Sequence, residues 1–150
     1  MVIGGIAARL RGAPLLTQDV DITPSTERHN LERLALALEE LDARLRTASE
    51  PEGVRFPFDP RWLEAATVWT LTTKHGDLDL AVSPAGTEGY QDLIKDADLM
   101  TVAVGPRLEV MVASLADVIR SKEAAGRNKD RAALPLLRQT LEELERQSRS

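Results

Sequence analysis

Gln18-Asp19-Val20-Asp21-Ile22-Thr23 alternates polar and apolar side chains, the pattern of a strand with one face buried. Asp19 and Asp21 then project from the same face, with Cα atoms about 6.5 Å apart. Asp is disfavoured in strands, and two on one face repel each other unless a cation stands between them. Carboxylates at this spacing can converge on two divalent ions about 3.5–4 Å apart, the arrangement used in phosphoryl and nucleotidyl transfer. Oxygen-only ligation suits Mg²⁺, which takes one or two carboxylates plus phosphates and water. Taken alone, the pair fits an acidic solvent face equally well.

Working outward, Met1-Val2-Ile3 reads as the end of a buried strand broken by Gly4-Gly5. Ile6 to Arg11 follows as a short helix closed by Gly12. Glycine at such a turn lets backbone N–H groups approach a phosphate, although no P-loop follows and a plain turn explains it as well. After the Asp pair, Thr23-Pro24 offers an N-cap and first-turn proline to a helix bearing Leu31, Leu34, Leu38, Leu41 and Leu45. A loop runs through residues 49–60. Thr67 to Thr73 and Asp77 to Val82 then form a hairpin across Lys74-His75-Gly76.

That hairpin carries a second Asp-Leu-Asp, at Asp77 and Asp79. If its strand neighbours the first, a third carboxylate joins Asp19 and Asp21, and such a cluster is costly without a metal. Acidic side chains wetted at a hairpin start are the alternative. Residues 87–97 read as a helix. Met100 to Val104 and Leu108 to Val112 are two strands around Gly105-Pro106, and all beyond Ser114 is helical, with Gly126 between two helices and Pro135 bending or ending a turn of the second. The expected fold is α+β (mixed α/β): a small mixed sheet, flanking helices and a C-terminal helical segment. Residues 1–112 form the core and 113–150 the helical segment, in one compact unit.

Composition narrows the chemistry. The 150 residues are 43% apolar, 29% charged and only 3% aromatic, which disfavours recognition by stacked bases. Without cysteine there is no disulfide, thiolate zinc site or cysteine nucleophile. His29 and His75 are too dispersed for a metal cluster, and Trp62 and Trp69 suit packing better than a base platform. No apolar run could span a membrane, and the start lacks a signal peptide's basic region, so cytoplasm is expected. The net charge is −5, but Arg120, Lys122, Arg127, Lys129, Arg131 and Arg138 cluster near the C-terminus, where an RNA partner would have to bind. A Lys or Arg there could neutralise a triphosphate. The alternative is a solvated helix with Glu123–Arg127 and Arg127–Asp130 surface pairs.

In this order the pieces resemble the DNA polymerase β-type nucleotidyltransferase superfamily: Gly4-Gly5 at a strand–helix turn, Asp19-Val20-Asp21 on the next strand, and Asp77-Leu78-Asp79 on a later one. Within it, Ile3-Gly4-Gly5-Ile6-Ala7, Thr17-Gln18-Asp19-Val20-Asp21, Ser121-Lys122 and Arg127-Asn128-Lys129-Asp130 are similar to the AbiEii-like, type IV toxin-like group. The resemblance covers most of the chain. It implies a metal-dependent enzyme that transfers a nucleoside monophosphate from an NTP to a hydroxyl acceptor. Asp19, Asp21 and Asp79 are its implied ligands for two Mg²⁺ ions, with Asp79 preferred to Asp77. Gly4, Gly5, Lys122 and Arg127 are implied at the nucleotide, with Asp130 orienting Lys122 or a neighbour. The resemblance further implies an RNA acceptor such as tRNA in a toxin–antitoxin setting, with an antitoxin as partner. A small-molecule, antibiotic-type transferase and an inactive nucleotide- or protein-binding module are the alternatives. Relatives carry a helix and a full strand before the glycine turn. The chain here begins three residues before it, so the expectation is either a shortened or misannotated start or a first strand at an exposed sheet edge that a partner covers.

Overall fold

In the computed structural model, which describes residues 1–103 and 105–150, the chain is α+β with one seven-stranded mixed sheet. The strands are β1 (Val2–Ile3), β2 (Val20–Ile22), β3 (Arg44–Leu45), β4 (Val68–Thr73), β5 (Gly76–Ala81), β6 (Asp98–Val102) and β7 (Leu108–Val112). The helices are α1 (Gly4–Leu10), α2 (Arg28–Glu40), α3 (Pro60–Leu63), α4 (Tyr90–Leu93), α5 (Leu115–Ala125) and α6 (Asn128–Ser148). Sheet order is β3-β4-β5-β2-β1-β7-β6. β1 pairs with β7 and β2 with β5 in parallel, and the remaining pairs are antiparallel.

Period-two alternation splits the side chains into two cores. In one, Ile3 and Val112 gather with Ala7 and Ala8 of α1, Val118 and Ile119 of α5, and Leu134 and Leu137 of α6. In the other, Leu71 and Leu80 pack with Ala35 and Leu38 of α2 and Leu63 of α3. Here Phe56, Trp62 and Trp69 stack, and the Trp69 indole N–H donates to the Leu63 carbonyl at 3.0 Å. Both tryptophans, partly buried, thus pack against this core, as their positions suggest.

Four expectations need correcting. β1 is not an edge: β7 returns alongside it, pairing Val112 with Val2, so the sheet ends on β3 and β6. Thr23-Pro24 does not open α2. Fully buried Thr23 instead prolongs the β1–β2 pairing, its N–H donating to the Met1 carbonyl (2.9 Å) and its carbonyl accepting from the Met1 amino group (3.0 Å). Leu45 is not helical, because Asp42 turns left-handed (φ 49°) after α2 and releases Arg44–Leu45 to pair with β4. The helix expected over 87–97 starts only after Gly89 (φ 79°) and tightens into a 3₁₀ turn at Ile94–Asp96. α6 runs through exposed Pro135 without ending. The strand reading at Val104 lies outside the described residues.

Candidate active site

β2 and β5 lie side by side in parallel, with Asp21 directly opposite Asp79. Register partners share a face and sit about 4.8 Å apart, so the two carboxylates are immediate neighbours. That face is the one bearing Ile3, and it opens between the sheet and α5/α6 into a cleft of about 820 Å³. Asp19, just ahead of β2, also lines the cleft.

Burial raises the Asp21 carboxyl above the usual carboxylate range, and the charges of Asp79 and Asp19 push it further against Lys122 and Lys129. Asp79 is raised chiefly by burial and then by Asp19, with Arg46, Lys129 and Thr70 acting the other way. Its Oδ1 is buried without a hydrogen-bond partner. Two adjacent carboxylates that burial makes reluctant to ionise, one with an orphaned oxygen, form a locus that a cation would stabilise. Among the described residues no three His, Asp or Glu side chains are gathered as a ready metal cage.

Gly4 and Gly5 open α1 on the cleft wall. Gly4 has φ +64°, and a Cβ there would overlap the Asp21 carboxylate. A Cβ on Gly5 would lie 2.8 Å from Thr17 Oγ1. The glycine pair thus makes room for the Asp21 carboxylate against the start of α1. Gly4→Ala is expected to destabilise the fold by roughly 2 kcal/mol or more, adding left-handed strain to the overlap. Thermal unfolding of the variant checks this, and an unchanged Tm would show that Asp21 moves aside freely.

The opposite wall is built at the α5–α6 junction. Gly126 closes α5 in the left-handed region (φ 61°), and α6 starts two residues later. This folds Asp130 back into the interior, fully buried, beneath Lys122 and Arg127. Lys122 Nζ donates to Asp130 Oδ1 at 3.0 Å and Arg127 Nε to Oδ2 at 2.6 Å. Burial opposes the Asp130 charge, but these two donors outweigh it and hold the carboxyl below its usual range. Of the two pairs in the solvated-helix reading, Arg127–Asp130 forms, but on a carboxylate that is buried, and Glu123–Arg127 does not. Asp130 anchors its pair in the core while Arg127 reaches it from the surface, and Glu123 pairs with Arg138 at 2.6 Å instead of Arg127.

Gly4, Gly5, Asp19, Asp21, Asp79, Lys122 and Arg127 all line this one cleft, with Asp130 behind its basic wall. Asp77 does not line it and pairs with Arg46 at 3.2 Å. Lys129, which the motif contains without a role, also lines the cleft and forms no ion pair among the described residues. Four residues of the C-terminal basic cluster are engaged, Arg120 with Asp92 and Asp117, and Lys122, Arg127 and Arg138 as above, which leaves Lys129 and Arg131 without an acidic partner among the described residues. Among the described residues no helix is long and apolar enough to cross a membrane. No protein-family model matches the chain, and no curated protein does.

Proposed function

We propose that the chain is an Mg²⁺-dependent nucleotidyltransferase of the DNA polymerase β type, akin to the AbiEii-like group. The observation that carries this is the register pairing of Asp21 with Asp79, facing a basic wall across a cleft large enough for a nucleotide. The donor set fits the metal. Asp19, Asp21 and Asp79 offer only oxygen, and Asp79 Oδ1 lacks a partner. Two adjacent carboxylates rather than a closed cage of three leave ligand positions for triphosphate and water, as Mg²⁺ prefers. When bound, the ions neutralise charge on the reacting phosphate and favour the ionised acceptor hydroxyl.

The chain's own residues do the rest. Lys122 and Arg127, fixed by Asp130, hold the triphosphate and steady the departing pyrophosphate. Asp79 faces the acceptor and takes its hydroxyl proton. The acceptor oxygen bonds to the α-phosphorus as the bond to the β-phosphate oxygen breaks. On the strength of the resemblance, the acceptor is an RNA such as tRNA, the setting is a cytoplasmic toxin–antitoxin pair, and an antitoxin is the partner.

The test is to incubate the protein with α-labelled NTPs and total RNA, with Mg²⁺ or with EDTA. Label should enter RNA only with Mg²⁺ and fade as salt rises. Transfer to a hydroxylated cationic small molecule instead would mark an antibiotic-type enzyme. NTP binding by calorimetry without turnover would mark a binding module, and neither binding nor turnover would overturn the proposal.

A further inference from the structure

Arg46 follows β3, and its N–H donates to the Thr70 carbonyl at 2.9 Å, continuing the pairing of Arg44 with Thr72 and Leu45 with Leu71. Thr70 is opposite Asp79, and Asp79 opposite Asp21. Arg46, Thr70, Asp79 and Asp21 therefore form one row across four adjacent strands, with side chains on the same face. The Cα of Arg46 lies two strands from that of Asp79, about 10 Å away. Its guanidinium reaches back to pair with Asp77, two residues before Asp79 on that face. Lys122, Arg127 and Lys129 approach from the other direction, on α5, α6 and the junction between them. The acidic pair is thus flanked by cations on two sides, and only one side is built onto the helices.

The Arg46–Asp77 pair is incomplete. Nη1 meets one carboxylate oxygen, while Nε is buried with no acceptor. A guanidinium presents five donors in a fork that matches a phosphate, so a single contact leaves most of its capacity unused. The three aromatic residues that stack, and Phe58 tilted against Phe56, pack with the core on the opposite face, so this row offers no base platform. What it can recognise is backbone phosphate, without regard to sequence. Resting on the nucleotidyltransferase reading, we propose that Arg46 receives a phosphodiester of a single-stranded RNA acceptor, so that the strand lies over Thr70 and its terminal hydroxyl reaches Asp79. Asp77 occupies the guanidinium until the strand arrives.

The experiment is fluorescence anisotropy of a labelled RNA hexamer with a free 3′-hydroxyl, titrated with the full chain across a series of salt concentrations. Arg46→Gln should weaken binding about tenfold and lower the salt slope by about 0.7, one phosphate's share. Asp77→Asn frees the guanidinium and should tighten binding, a gain that a misfolded variant would not give. No binding of the hexamer by the wild type, or equal affinity and slope in Arg46→Gln, would overturn the proposal. So would competition for this face by the hydroxylated polycation neomycin, strengthened by Arg46→Gln. Mg²⁺-dependent NTP binding measured alongside tests the nucleotidyltransferase reading separately. Its loss would remove that reading and leave an Arg46-dependent RNA site standing.

Discussion

Replacing Asp21 with asparagine is expected to lower Mg²⁺-dependent nucleotide transfer by about 10³-fold or more, since metal stabilisation of a phosphoryl transition state is worth several kcal/mol. The same substitution should raise the Tm of the metal-free protein at neutral pH. Asparagine keeps the shape and removes the charge that burial and the neighbouring Asp79 and Asp19 oppose. A carboxyl whose folded pKa is raised favours folding while protonated. That contribution is complete below its unfolded pKa of about 3.9 and is lost as pH rises through the folded value. The wild type should therefore lose stability relative to Asp21→Asn as pH climbs from about 4 toward neutrality, and the two should converge in acid. Added Mg²⁺ should raise the wild-type Tm and leave the variant's nearly unmoved. Transfer assays and thermal unfolding across pH, with and without Mg²⁺, read all of this. Full activity in the variant would end the metal reading. Unequal responses to Mg²⁺ without any turnover would point to a binding module.

The parts of this site that the sequence made legible are those fixed by short-range periodicity. Alternation placed Asp77 and Asp79 on one face, because side-chain direction in a strand needs no knowledge of its neighbours, whereas Asp19 sits in a bend just ahead of β2 and reaches the cleft of Asp21 without belonging to that strand. That β5 lies beside β2, with Asp79 opposite Asp21, depends on a parallel pairing between segments more than fifty residues apart, which no local signal encodes. The same blindness put β1 at an edge, because its second partner, β7, arrives from over a hundred residues away. Leu45 continues the spacing of the α2 leucines, and only the left-handed turn at Asp42 reveals the break. Arg127 and Asp130 look like a solvated i,i+3 pair until α6 is packed against α5 and the carboxylate proves to be inside. Arg46 belongs to no motif. Its place in the row with Asp79 is visible only once β3, β4 and β5 are in register.

Asp130→Ala is the change expected to do most damage away from the metal. The carboxylate is inaccessible to water and holds two cations at once, so its loss leaves the inward-facing Lys122 charge uncompensated. Breaking a buried pair in this way costs about 3–5 kcal/mol. The lower end applies because Arg127, with 60% of its side chain exposed, can swing out to water. For a chain of this size about 3 kcal/mol lowers Tm by roughly 6–12 °C. The lowered Asp130 pKa gives the pH signature. Its contribution is present above the unfolded carboxyl pKa and disappears as pH falls through the folded value, so wild type and variant should converge only in strong acid. Loss of NTP affinity in this variant alone would not separate damage to the fold from damage to the site. Adding Lys122→Met to Asp130→Ala does separate them, because it removes the stranded charge and fills the space with an apolar chain. The double variant should recover much of the lost Tm yet bind NTP no better than Asp130→Ala. If NTP affinity returned together with stability, Lys122 would have no part in holding the triphosphate, and the Asp130 cluster would be a device of folding alone.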